Sequence, residues 1–225
     1  MRLLLLNGNA NVAMTEQMAK RAREQLGERV EVVADTATDS VAYIGSRREC
    51  ALAGAVLVTL VERHLADEGK PFDAILLACF GEPGIAAVRE ISPVPVIGML
   101  EASLLTAVQL GSRFSIITPG ARWPRMIEDV LHDLGLSRRC LGVDAIVIDD
   151  LTLPQQRDEA KRRLFATLSA QHERLSPEVI IIGGAAFAGL ADSRISPGEC
   201  RLLDCFDAAV MQCQALMQLT QRGLS

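Results

Sequence analysis

Cys79 stands where an apolar run meets a turn, in Phe72-Asp73-Ala74-Ile75-Leu76-Leu77-Ala78-Cys79-Phe80-Gly81-Glu82-Pro83-Gly84. In an open α/β sheet this is the carboxyl edge of a strand, where ligands and reactive groups gather. A thiol there lies close to a helix N-terminus, whose partial positive charge favours thiolate over thiol. The competing reading is structural, a cysteine packed as a small hydrophobe. Elsewhere the chain offers amide and hydroxyl groups (Asn7, Asn9, Asn11, Thr118) and three glycine-containing turns at 81–84, 119–121 and 183–185. Backbone N–H groups in such turns suit an anionic or carbonyl oxygen, including an enolate oxyanion. A thiolate beside them could remove a proton from the adjacent carbon. The chain has no Gly-x-Gly-x-x-Gly, no P-loop and no metal-ligand cluster, so the expected chemistry is carbon-acid chemistry without cofactor or metal. A pure binding module would need the same amides but not the thiol.

The elements that must position these groups alternate along the chain. Short β-type runs are expected at Leu3–Leu6, Val30–Val33, Ala74–Ala78, Val94–Ile97, Ser115–Thr118, Val143–Ile148, Val179–Ile182 and Arg201–Leu203. Amphipathic helical patterns fill about 13–27, 47–68, 83–91, 100–110, 122–135, 154–175 and 206–222, which is the signature of parallel α/β architecture. The composition agrees. Of 225 residues, 49% are apolar but only 4% aromatic, so the core is built of Leu, Ile, Val and Ala, as in sheets covered on both faces. A net charge of −5 argues against a nucleic-acid partner, whose footprint would be basic. No apolar run reaches the roughly 18 residues of a membrane span, and Asn7 ends the leucine run of Leu3–Leu6 too early for a signal peptide. The expectation is a cytoplasmic protein with no membrane partner. Six cysteines without CxxC pairing argue against a disulfide scaffold or zinc site.

A weak internal echo divides the chain. Arg2-Leu3-Leu4-Leu5-Leu6-Asn7-Gly8-Asn9-Ala10 resembles Arg113-Phe114-Ser115-Ile116-Ile117-Thr118-Pro119-Gly120-Ala121, and the run into Cys79 resembles Pro177-Glu178-Val179-Ile180-Ile181-Ile182-Gly183-Gly184. Any two βα units look somewhat alike. Taken as a duplication, the echo predicts an α/β protein of two pseudo-symmetric parallel-sheet lobes with the active site in the cleft between them. The first lobe would be 1–98 with the C-terminal helix at about 206–225, and the second 99–205.

Ala78-Cys79-Phe80-Gly81-Glu82-Pro83-Gly84, followed by Pro95-Val96-Ile97-Gly98-Met99-Leu100-Glu101-Ala102, resembles the first catalytic motif of hydantoin racemases, within the aspartate/glutamate racemase superfamily. Asn7-Gly8-Asn9-Ala10-Asn11 with Met14-Thr15 is similar to that family's N-terminal element, with Gly8 in place of the usual proline. Arg113–Thr118 and Ile181–Gly189 resemble its third and fourth blocks, so the likeness spans the whole chain. The resemblance implies cofactor-independent racemisation of a carbon α to a carbonyl, in a small cyclic amide such as a 5-substituted hydantoin or allantoin. It implies Cys79 as acid/base on one face of the substrate, and Asn9, Asn11, Phe80, Gly81, Thr118, Gly184 and Ala185 as substrate-binding positions. A homo-oligomer acting on a small molecule with a carbonyl or carboxylate is also implied.

One departure matters. The family's second cysteine sits where this chain has Gly184, and a hydrogen cannot donate a proton. Cys205, after Asp204 at the end of the last short strand, is the candidate substitute, although burial at a helix start is the stronger explanation of it. Cys50 and Cys140 read as structural. The arylmalonate decarboxylases of the superfamily also keep one cysteine, in the other lobe, so a one-cysteine decarboxylase or isomerase is an alternative. A catalytically silent ligand-binding relative is another. On the resemblance, Gly184→Cys is expected to raise racemisation.

Overall fold

The computed structural model describes residues 1–67, 69–147, 154–191 and 196–223, with side chains from Glu159 onward in the helix that starts at Pro154. Eight strands alternate with seven helices among these residues. They are β1 (Arg2–Asn7), α1 (Val12–Leu26), β2 (Glu31–Thr36), α2 (Arg47–Ala66), β3 (Ala74–Leu77), α3 (Ile85–Ile91), β4 (Val96–Gly98) and α4 (Met99–Leu110). Then follow β5 (Phe114–Pro119), α5 (Trp123–Asp133), β6 (Cys140–Ile146), α6 (Pro154–Leu175), β7 (Val179–Ile182), a 3₁₀ turn at Ala185–Phe187, β8 (Arg201–Asp204) and α7 (Cys205–Gln221). Every strand and helix expected from the sequence is present, with ends shifted by up to three residues. Glu68 and Ile148, at the expected ends of a helix and a strand, lie outside the described residues.

The strands form two four-stranded sheets, in the orders β2-β1-β3-β4 and β6-β5-β7-β8, with all neighbours parallel. Relabelled from its own first strand, the second order is identical to the first. The internal echo is therefore a repeated fold, and the α/β architecture of two pseudo-symmetric parallel sheets is observed. The chain divides into a first unit, Met1–Ala102 with Phe206–Ser225, and a second, Ser103–Cys205. Helix α7 returns to the first unit, where Asp207 receives the Arg21 guanidinium on both oxygens at 2.6 Å and the Gln25 amide at 2.5 Å.

The central strands are sealed on both faces, which is why they read as unbroken apolar runs. Leu3 to Leu6 are 0% exposed, as are Val179 to Ile182. In the first unit Leu4, Leu6, Leu57, Val61, Ile75 and Leu77 pack one layer; in the second Ile117, Leu164, Leu168, Ile180 and Phe187 do the same. Ser115 is a buried polar residue within β5, and its hydroxyl donates to Gln171 Oε1 at 2.7 Å, so its burial is compensated. Among the described residues no helix is long and apolar enough to cross a membrane.

Candidate active site

Each strand order reverses direction once, between β1 and β3 in the first sheet and between β5 and β7 in the second. In open parallel sheets such a switch point, at the carboxyl edge of the strands, is where ligands bind. In the first unit Asn7 closes β1 and Cys79 lies two residues beyond β3, so the two flank this point. In the second unit Thr118 near the end of β5 and Gly184 beyond β7 occupy the equivalent positions.

Asn7 is fully buried and organises the loop after β1. Its Nδ2 donates to Asn9 Oδ1 at 3.0 Å, to the Asn11 carbonyl at 3.2 Å and to Thr15 Oγ1 at 3.1 Å, and Thr36 Oγ1 donates to Thr15 Oγ1 at 2.7 Å. Asn9 Oδ1 also accepts the Asn11 N–H at 2.9 Å. With its oxygen accepting twice, Asn9 leaves Nδ2 in a soft contact with Met14 Sδ at 3.8 Å. Asn9 is thereby set as a hydrogen-bond donor. Asn11 is different: its oxygen accepts the Met14 N–H at 3.0 Å as the N-cap of α1.

Cys79 is 7% exposed, and Phe80 beside it 3%. The turn that follows is tight. The Glu82 N–H donates to the Cys79 carbonyl at 3.0 Å, and the Ile85 N–H to the Glu82 carbonyl at 3.1 Å. Helix α2 lies against it, and a Cβ on Gly54 would stand 3.0 Å from the Gly84 nitrogen, so close approach requires glycine at 54. A Cβ on Gly8 would stand 3.1 Å from Pro83 Cγ, which brings the loop after β1 onto the same turn.

The ionisation of Cys79 departs from the sequence-based expectation. Burial pushes the thiol up to about 12, against the opposing pull of the Gly81 and Glu82 backbone N–H groups. A helix terminus does not make it a thiolate, because α3 starts six residues later and desolvation outweighs two amides. In the resting protein Cys79 is a neutral thiol. Cys50, read from sequence as structural, is in the first turn of α2, one helical turn before Gly54, and its charge would raise the Cys79 thiol further. Among the described residues no group of His, Cys, Asp and Glu is arranged to hold a metal.

Glu82 is a feature that sequence reasoning passed over. Its carboxyl is buried and pushed up to about 7, chiefly by desolvation and opposed first by the Glu101 N–H. The signal was available as an acidic residue inside the Cys79 turn and a glycine, Gly98, just before the next helix. A carboxyl with a raised folded-state value binds its proton more tightly when folded. Its stabilising contribution is therefore complete below the ordinary value of 4.5 and is lost as pH rises through about 7. The wild type should lose about 3 kcal/mol of unfolding free energy from this group between about pH 5 and 8, and Glu82→Gln should flatten that loss. Urea unfolding followed by circular dichroism checks this, and parallel wild-type and variant curves would exclude it.

In the second unit Thr118 is 1% exposed, and its Oγ1 faces Gly184. The Gly183 N–H donates to the Ile117 carbonyl at 2.8 Å, and the Phe187 N–H to the Gly184 carbonyl at 2.9 Å, closing the 3₁₀ turn that presents Ala185. Gly184 has φ 98° and ψ 132°, a backbone conformation nearly confined to glycine. Cys205 opens α7 and is 0% exposed, and its carbonyl accepts the Ser103 hydroxyl at 3.4 Å.

Residues 3–213 match the model of the Asp/Glu/hydantoin racemase family. The chain belongs to that family. A hydantoin racemase from Rhizobium meliloti is 30% identical over 217 residues, covering 96% of this chain and 89% of that protein. The crystal structure of allantoin racemase from Pseudomonas fluorescens superposes with a TM-score of 0.87 at 29% identity, over 98% of this chain and 92% of that one. A variant of arylmalonate decarboxylase shares the fold, with a TM-score of 0.66 at 13% identity over 96% of this chain and 92% of that one. The chain is an enzyme of the racemase/isomerase class.

Proposed function

We propose that this family member moves a proton on and off the carbon α to a carbonyl of a small cyclic amide, of the 5-substituted hydantoin or allantoin type, without a cofactor, and thereby racemises it. The observation that carries the reading is the placement of Cys79 at the switch point of the first sheet, with the Gly81 and Glu82 amides directed at its sulfur. As the thiol it delivers a proton to an enolate carbon; as the thiolate it removes one. Asn9 Nδ2, the Asn11 amide hydrogens, Thr118 Oγ1 and the peptide groups of Gly81, Gly184 and Ala185 would hold the substrate's oxygens and ring nitrogens, with Phe80 as an apolar wall. Cys205 would be the second thiol of a two-face mechanism. A cytoplasmic homo-oligomer is part of the same reading.

Two observations favour a second reading, one-face protonation as in a decarboxylase or isomerase. Gly184 carries no side chain, and Cys79 rests as a neutral thiol. Loss of CO2 from a malonate leaves an enolate that needs only a proton donor. The deciding experiment offers allantoin, 5-substituted hydantoins and arylmalonates in D2O, with α-deuteration read by NMR alongside optical rotation and CO2. Racemisation predicts exchange of both enantiomers and decay of rotation. Exchange of one enantiomer with rotation retained, or CO2 release, would replace it with the one-face reading. Thermal stabilisation by these ligands without any chemistry would make the chain a binding relative.

A further inference from the structure

The turn after Cys79 contains a conformation that its sequence alone does not favour. Glu82 has φ 45°, in the left-handed region that a residue with a Cβ adopts at a cost. What holds it there is the far end of its own side chain. Oε1 accepts the backbone N–H of Glu101 at 2.7 Å, in the first turn of α4, where peptide groups have no intrahelical partner. The carboxyl lies flat against Gly98, the last residue of β4, and any Cβ at position 98 would collide with it. At its other end the Glu82 N–H donates to the Cys79 carbonyl at 3.0 Å. One residue thus ties the peptide of Cys79 to the start of α4, across the third and fourth strands of the first sheet.

We propose that Glu82 is the positioning residue of Cys79: its carboxyl, clamped between Gly98 and the N-terminus of α4, holds the turn that aims the sulfur and the Gly81 amide. This deepens the functional reading above and rests on it. The charged and titratable groups facing the clamp are Glu101 of α4, Arg89 of α3, which bonds Glu101 Oε2 at 2.9 Å, and Cys79 itself. Cys50 of α2 also opposes the ionisation of Cys79. Ionised, Glu82 adds a negative charge beside the thiol and opposes its ionisation. Geometry and charge therefore make separable predictions.

The 225-residue chain is assayed in two ways, by α-deuteration of allantoin and a 5-substituted hydantoin in D2O, and by iodoacetamide alkylation of Cys79 read by peptide mass spectrometry. Glu82→Ala, which removes the clamp, should slow deuteration at least about tenfold, since small misplacements of a reacting group cost that much or more. Glu82→Gln keeps an acceptor for the Glu101 N–H and should stay within about threefold of wild type, while its Cys79 alkylates faster at about pH 9 because the neighbouring charge is gone. If Glu82→Ala does not fold, Gly98→Ala displaces the carboxyl instead and should slow deuteration equally. Overturning results would be deuteration at the wild-type rate in Glu82→Ala or Gly98→Ala, or a Gln variant as slow as Ala with unchanged alkylation. Undiminished deuteration in Cys79→Ser would instead overturn the thiol reading beneath. If the wild type deuterates neither substrate, that reading fails, and the alkylation comparison between Gln and wild type still decides the Glu82 contact.

Discussion

Cys79→Ser is expected to fold as the wild type does and to lose at least about a hundredfold in α-proton exchange, the low end of what a positioned general acid or base supplies. The substitution changes volume little, and the site tolerates a hydroxyl because the Gly81 and Glu82 N–H groups face it. What it removes is ionisation. The Cys79 thiol, though held up at about 12, is far more acidic than a serine hydroxyl in the same desolvated pocket, and only the thiol can cycle between acid and base. The measurement is deuterium incorporation at the substrate α-carbon, with circular dichroism to confirm folding. An active Cys79→Ser would place the reacting group elsewhere in the chain.

The second large effect is expected at Gly184. The family pattern alone makes Gly184→Cys a gain, restoring a thiol to the second unit. The backbone reverses that expectation. With φ 98° and ψ 132°, a Cβ would stand 2.7 Å from Cδ and 2.9 Å from Cγ of Pro119, and a proline ring has no rotamer by which to leave. Backbone strain and overpacking together should destabilise the variant by on the order of 3 kcal/mol. Its urea midpoint should fall accordingly, and racemisation should not rise above wild type. Pro119→Ala in the same chain should recover part of the loss. A Gly184→Cys protein with wild-type stability would show that the turn relaxes easily and would overturn the strain argument.

These two positions differ in how much of them could be read beforehand. Cys79 was legible because its signal is local: a buried strand, a small polar residue and a glycine turn are contiguous in the chain. The same is true of β7, whose four isoleucine and valine residues appear with the expected bounds, Val179–Ile182. Gly184 was legible as a missing side chain but not as a strained backbone, since the strain is defined by Pro119, a residue on a neighbouring strand 65 positions away in sequence. Asn11 was legible as a polar loop residue, while its capping of α1 shows only when Met14 N–H is seen to reach its oxygen. Glu82 was hidden because its partner Glu101 lies beyond α3 and β4.

From sequence by itself came the alternation of strands and helices, the repeat of that alternation, the family likeness and the thiol at a strand end. All of these depend on apolar periodicity and on short-range order, which side-chain chemistry specifies locally. The tertiary structure alone decided the strand orders β2-β1-β3-β4 and β6-β5-β7-β8 and the upward push on the ionisation of Cys79 and Glu82. The reason is that ionisation follows desolvation. How much water a thiol or carboxyl loses is set by packing from segments distant in the chain, such as α2 against the Cys79 turn and Gly98 against Glu82, and no local pattern of residues encodes it.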